Sequence, residues 1–251
     1  MSYIKTDKCK VYYEVAGFRN LDTIVFLHGW GCDGSVFNFT VQQLKKHFKC
    51  IVIDFPPFRK SGKLDEPLFI YDYANMVLEV LCKENVKNYS IVCHSFGCRV
   101  ALELCNMDKR IDRLVITGGA GIRQRSAFTM LKIALYKMKK LLYRLHLVSE
   151  KKLLSSGSYD YKNIEDQNLR RTFVNVVNYN QKHLLKNIKC KTLLLWGDKD
   201  KQTPVKMAKI FKRKIKNSEL YIFKGAGHFA FLEYGQNFVC AIQLFLKEKE
   251  H

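Results

Sequence analysis

The chain has 251 residues, 47% of them hydrophobic and 26% charged, a length that fits one α/β domain or barrel as readily as two small domains and a composition with ample material for a core. Disorder and collagen-like structure are excluded. Lys and Arg number 43 against 23 Asp and Glu, a formal charge of +20. The basic residues are spread along nearly every polar face and are not gathered between stacking aromatics, so they speak to solubility and non-specific attraction, and no nucleic-acid partner is expected. No window approaches the roughly eighteen consecutive apolar residues of a membrane span. Lys5, Asp7, Lys8 and Lys10 interrupt the N-terminal stretch, which predicts neither a signal peptide nor integral membrane association. The nine cysteines, an odd number without a Cys-x-x-Cys pair, read as reduced thiols of a cytoplasmic protein, with no bound metal.

In chain order, short β-branched runs alternate with amphipathic stretches of helical length, the pattern of a largely parallel sheet covered by helices. Strands are predicted at Lys10 to Val15, Thr23 to Leu27, Cys50 to Asp54, Tyr89 to Cys93, Arg113 to Thr117, Thr192 to Trp196 and Glu219 to Phe223. Helices are predicted at Ser35 to Lys46, Tyr71 to Glu84, Gly97 to Met107, Pro204 to Lys214 and Phe238 to Glu248. From about Ile122 to Lys189 no strand is predicted. That interruption reads as a helical cap inserted between sheet strands, residues 122–189, over a core formed by 1–121 and 190–251. Insertions at this point pack over the carboxyl ends of the strands, where open α/β sheets bind ligands.

Three motifs carry chemistry. Val92-Cys93-His94-Ser95-Phe96-Gly97 is an apolar strand running into a serine and then a helix, a nucleophile elbow in which Cys93 takes the place of the first small glycine. His94 is expected to point away from the nucleophile, since neighbours on a turn diverge. Upstream, His28-Gly29-Trp30-Gly31 follows a strand, and its glycines let a backbone amide face a reacting oxygen. The N–H groups of Trp30 and of Phe96 are the candidate oxyanion donors. Downstream, Trp196-Gly197-Asp198-Lys199-Asp200 and Gly227-His228-Phe229 place acids and then a histidine past two further strands. The resulting order Ser, Asp, His differs from that of two other serine hydrolase classes.

On His28-Gly29-Trp30-Gly31, Asp54-Phe55-Pro56, the serine elbow, Trp196 to Asp200 and Gly227-His228, the chain resembles α/β-hydrolase fold serine hydrolases with a helical cap, essentially from end to end. The resemblance implies an α/β-hydrolase fold, a mostly parallel sheet flanked by helices, and no cofactor. It implies Ser95 as nucleophile, His228 as base and, three residues beyond Gly197, Asp200 as the orienting acid with Asp198 the alternative. It also implies that Ser95, not an aspartate, separates this chain from haloalkane dehalogenases and epoxide hydrolases. The loop Pro56-Pro57-Phe58-Arg59-Lys60-Ser61 departs from the family in lacking both glycines.

The expected function is hydrolysis of a small-molecule acyl compound, carboxylesterase-like, through an acyl-enzyme. A C–C bond hydrolase, thioesterase, acyltransferase or lyase would keep the same triad, and a slow-turnover ligand sensor is the alternative of a different class. His28, Met130, Met138 and Phe229 are expected to line the substrate pocket. His183 is expected at the surface. Between Arg123 and Lys152, Ala127, Met130, Leu131, Ala134, Met138, Leu141 and Leu145 recur at helical spacing. This stripe is expected to roof the active site, an anionic membrane surface being the rival.

Overall fold

The computed structural model describes residues 2–18, 22–123, 135, 138–139, 141–145, 147, 149, 161 and 163–247. Its strands are β1 (Ser2–Lys5), β2 (Lys10–Ala16), β3 (Thr23–Leu27), β4 (Lys49–Asp54), β5 (Tyr89–His94), β6 (Ile111–Thr117), β7 (Lys191–Gly197) and β8 (Ser218–Phe223). They form one sheet in the order β1-β2-β4-β3-β5-β6-β7-β8. The first two pairings, β1 with β2 and β2 with β4, are antiparallel and all others parallel.

The inner strands β3 to β7 read as largely apolar runs because both faces of the sheet are covered there, whereas the edge strand β8 leaves Glu219, Tyr221 and Ile222 exposed. Successive residues of β3 go to opposite sides: Val25 and Leu27 join one core, Ile24 and Phe26 the other. The first core is closed by α1 (Ile70–Lys83), α2 (Phe96–Met107) and, further along the sheet, the helix Val205–Lys214. The second is closed by the helix Asn38–Leu44 and by the C-terminal helix Gly235–Lys247, whose Phe238, Val239, Ile242 and Phe245 are buried. The β1 strand, missed in the sequence, is a four-residue edge with alternating exposure.

After β3 the chain moves to one side to make β4, then crosses to the other side to make β5. The carboxyl ends of β3 and β5 therefore flank the point where the winding reverses, which is where such sheets leave a crevice. Register pairs Leu27 with Cys93, so the turns that begin at His28 and at Ser95 start side by side.

Between β6 and β7 the described residues hold α3 (Gln167–Asn178), capped by Asp166, whose side chain accepts from Leu169 N at 2.7 Å. Polar bonds dock α3 onto the loop before α1. Leu68 N donates to Thr172 Oγ1 at 2.8 Å, and Asn168 Nδ2 donates to the carbonyls of Leu64 and Asp65 at 3.1 and 3.0 Å. Of the apolar stripe predicted to roof the site, Ala127, Met130, Leu131 and Ala134 lie outside the described residues. Met138, Leu141 and Leu145 are 52, 56 and 58% exposed, so this part of the stripe faces outward, a correction to its expected place. No described helix is long and apolar enough to cross a membrane.

Candidate active site

Ser95 sits at the junction of β5 and α2 with φ 48° and ψ −108°, a positive-φ backbone that costs a non-glycine residue on the order of 1–3 kcal/mol and is held only by its surroundings. The surroundings are specific. Ser95 N donates to Thr117 O at 3.2 Å, and Ser95 O accepts from Ala120 N and from Cys98 N at 3.1 Å each. Gly97 is required because a Cβ there would lie 2.1 Å from Leu27 O and 2.9 Å from His28 O. Cys93 is fully buried, its Sγ 3.4 Å from Val115 O, and its small volume fills the site of the absent glycine.

Asp200 and Asp198 separate cleanly. Asp200 is buried at the end of the turn after β7; its Oδ1 accepts from Gln202 N at 2.9 Å and Thr203 N at 2.8 Å, and its Oδ2 from Thr203 Oγ1 at 2.7 Å. That oxygen also lies 2.8 Å from His228 Nδ1. Burial alone would raise the Asp200 pKa, but the bonds from His228 and Thr203 outweigh it and hold the carboxylate below its ordinary range. Asp198 is exposed and accepts from Gly225 N at 2.7 Å, tying the turn after β7 to the turn after β8. Because Nδ1 faces a carboxylate, it carries the proton, and Nε2 is left with the lone pair a general base needs.

Gly29, Trp30, Ser95, Phe96, His228 and Phe229 line one cavity of about 280 Å³, together with Cys32, His94, Arg99, Ala120, Gln202 and, from α3, Phe173, Val176 and Val177. Among the described residues Ser95 Oγ makes no hydrogen bond, so Ser95 and His228 share the cavity wall without a hydrogen bond between them. The N–H groups of Trp30 and Phe96 likewise have no acceptor among the described residues, that of Phe96 being an open donor at a helix start. The Trp30 ring is clamped by Phe58, Phe96 and Phe173 at centroid distances of 5.3 to 5.4 Å, which fixes the turn that carries its amide.

Two histidines depart from expectation. His28 does not line the cavity: it is 0% exposed, its Nε2 accepts from Phe55 N at 2.8 Å, and its Nδ1 lies 2.7 Å from Gly29 O. The Phe55 donor fixes Nε2 as acceptor and Nδ1–H as donor, so a neutral ring staples the turn, and burial takes its pKa down to about 4. His94 does not point away. Its ring lies 4.6 Å from that of His228, its Nε2 is 3.1 Å from the His228 carbonyl, and its buried Nδ1 has no partner. Since a carbonyl can only accept, Nε2 carries the proton. Burial, reinforced by the neighbouring His228, lowers the His94 pKa to about 3. A Cβ at Gly29 would come within 2.8 Å of His94 Nδ1, so that glycine makes room for the ring. Met138 stands outside the lining, Met130 outside the described residues, and His183 is exposed. Thr203, Arg99 and Phe173 are the neighbours that motif reading missed; only Arg99, one turn beyond Ser95, left a signal in spacing.

A strained serine between a parallel strand and a helix, an Asp–His pair past two further strands and open amides beside it, all at the sheet's winding reversal, define the α/β-hydrolase class of protein. The chain belongs to the alpha/beta hydrolase family, whose model its residues 24–241 match. It is 29% identical to the AB hydrolase superfamily protein YisY of Bacillus subtilis over 92% of this chain and 93% of that one. It is 26% identical to the 2-hydroxy-6-oxononadienedioate/2-hydroxy-6-oxononatrienedioate hydrolase 1 of Pseudomonas putida, over 91% of this chain and 88% of the relative. Among solved structures, the esterase EaEST of Exiguobacterium antarcticum superposes with a TM-score of 0.78 at 18% identity, covering 98% of this chain and 99% of that one.

Proposed function

We propose that the protein is a serine hydrolase of small acyl compounds, carboxylesterase-like, working through an acyl-enzyme on Ser95. The observation that carries this reading is the 2.8 Å contact of His228 Nδ1 with the buried Asp200 carboxylate on the wall of the cavity that Ser95 enters. Proton transfer requires Ser95 Oγ within hydrogen-bond reach of His228 Nε2, and apo sites often hold this bond open. Oγ then attacks the acyl carbonyl as its proton passes to Nε2, and the tetrahedral oxyanion takes hydrogen bonds from the amides of Trp30 and Phe96. Collapse expels the leaving group, which recovers the proton from His228, and water repeats the sequence to release the acid. Segment 122–189 acts as the cap, with α3 setting the apolar wall through Phe173 and Val176.

The volume of the cavity, about 280 Å³, lies at the small end of ligand pockets and favours short acyl chains. A series of 4-nitrophenyl esters from acetate to octanoate tests the proposal. The wild type should turn over the short members best, and Ser95→Ala should lower kcat on the order of 10⁶-fold, as loss of a triad nucleophile does. Hydrolysis surviving in the Ser95→Ala protein contradicts it.

A further inference from the structure

One side chain on the cavity wall has no place in the mechanism. Arg99 lies one helical turn beyond Ser95 on α2 and lines the cavity with it. A guanidinium has five donors; among the described residues only one is committed, from Nη1 to the carbonyl of Tyr179 at 2.8 Å. Among the described residues no carboxylate pairs with it. Glu103, the next acid along the same helix, instead accepts from Tyr179 OH at 3.3 Å and from Gln181 Nε2 at 3.4 Å. Burial lowers the Arg99 pKa to about 10, with Cys98 acting against that shift and the nearby Arg123 cation adding to it, which leaves the group charged at neutral pH.

A half-buried cation with open donors on a cavity wall suits a bound anion, which would replace the water that otherwise fills them and offset the charge. Bond for bond, a carboxylate matches the guanidinium fork best. Arg99 and Ser95 share the wall of one small cavity, so a short acyl chain with its scissile carbonyl at Ser95 keeps an anionic end group within that same cavity. The excess of basic residues over acidic ones across the whole chain, 43 to 23, would draw the same ligands in.

We infer that Arg99 binds a free carboxylate at the far end of the acyl chain, so that the preferred substrates are short acyl compounds carrying a second, ionised acid group. This rests on the proposed hydrolysis at Ser95 and names the substrate class of that site. The rival role for Arg99 is mechanical, a tether of the end of α3 through Tyr179 O.

Two isosteric esters separate the roles: monoethyl glutarate, which ends in a carboxylate, and ethyl glutaramate, which ends in the neutral amide of the same shape. Ethanol release is measured for both with wild type, Arg99→Gln and Arg99→Lys. The quantity read is the ratio of kcat/KM between the two esters, which does not depend on how much of a variant is folded. The ratio should exceed about 10 in the wild type, fall at least 10-fold in Arg99→Gln and recover in part in Arg99→Lys, as expected for loss and partial return of a charge-assisted bond. A wild-type ratio near 1, or a ratio unchanged by Arg99→Gln, overturns the inference in favour of the tether. A second arm is independent of catalysis: glutarate should raise the melting temperature of the Ser95→Ala protein more than glutaramide does, and this difference should vanish when Arg99→Gln is added. If neither ester is hydrolysed, the Ser95 reading fails while the binding arm still decides the anion site; equal shifts with glutarate and glutaramide overturn it.

Discussion

Asp198 and Asp200 are two residues apart in the same turn and share a side-chain chemistry, yet only Asp200 is buried and reaches the His228 imidazole. Asp200→Asn should therefore lower kcat roughly 10⁴-fold by favouring the wrong imidazole tautomer, while Asp198→Asn loses only the bond to Gly225 N and should stay within a few fold. Steady-state kinetics on one short ester checks both, and the opposite ranking would place the acid at 198. The motifs made the acid legible to within those two residues, and it was the resemblance that favoured the second of them. What no motif showed was Thr203, whose backbone N–H and hydroxyl supply two of the four contacts that hold the carboxylate, Gln202 N and His228 Nδ1 supplying the others. The opposite happened at His94: divergence at a turn was a sound local argument, but the turn after β8 folds back over β5 and brings His228 against the imidazole.

At the scale of elements, the crossing of α2 over the end of β3 is governed by one missing Cβ. Gly97→Ala would put a methyl group 2.1 Å from Leu27 O, and a backbone carbonyl cannot step aside as a side chain can. The helix must shift, at a cost of about 1–3 kcal/mol by analogy with overpacked cores, and the Ser95 turn shifts with it. Chemical denaturation should show that loss together with a loss of ester turnover; a variant of unchanged stability would mean the crossing is softer than its distances imply. The strands from β3 to β7 were legible because they are largely buried on both faces and so read as apolar runs, and the exposed edge strand β8 was legible from its β-branched and aromatic residues. Strand β1 was not, because Ser2–Lys5 is short, polar and half exposed. Nor was the seat of α3, since its docking depends on Thr172 and Asn168 reaching main-chain groups about a hundred residues away, which no local pattern encodes.

For the whole molecule, two imidazoles locked neutral in the interior make stability depend on pH. His28 and His94 have folded-state pKa values of about 4 and about 3, against roughly 6.5 in an unfolded chain. Between those limits the unfolded state holds more protons, so the stabilisation is full above pH about 6.5 and is lost as the pH falls. Each histidine contributes a limiting slope of about 1.4 kcal/mol per pH unit. Urea unfolding between pH 6 and 4.5 should show this decline, and His94→Phe should remove about half of the histidine contribution; an unchanged slope would mean that His94 is not neutral by burial. The basic excess, read from composition as solubility and non-specific attraction, would also draw anionic substrates toward the cavity.

The account turns on Ser95 being a nucleophile whose reactivity comes from His228, and covalent labelling measures that most directly. After exposure to a fluorophosphonate, the intact protein should gain the mass of a single adduct, and peptide mapping should place it on Ser95. Ser95→Ala should gain none, and His228→Ala should label at least about 100-fold more slowly, since the base that activates the hydroxyl is gone. An adduct elsewhere, no adduct, or labelling indifferent to His228 would contradict the account.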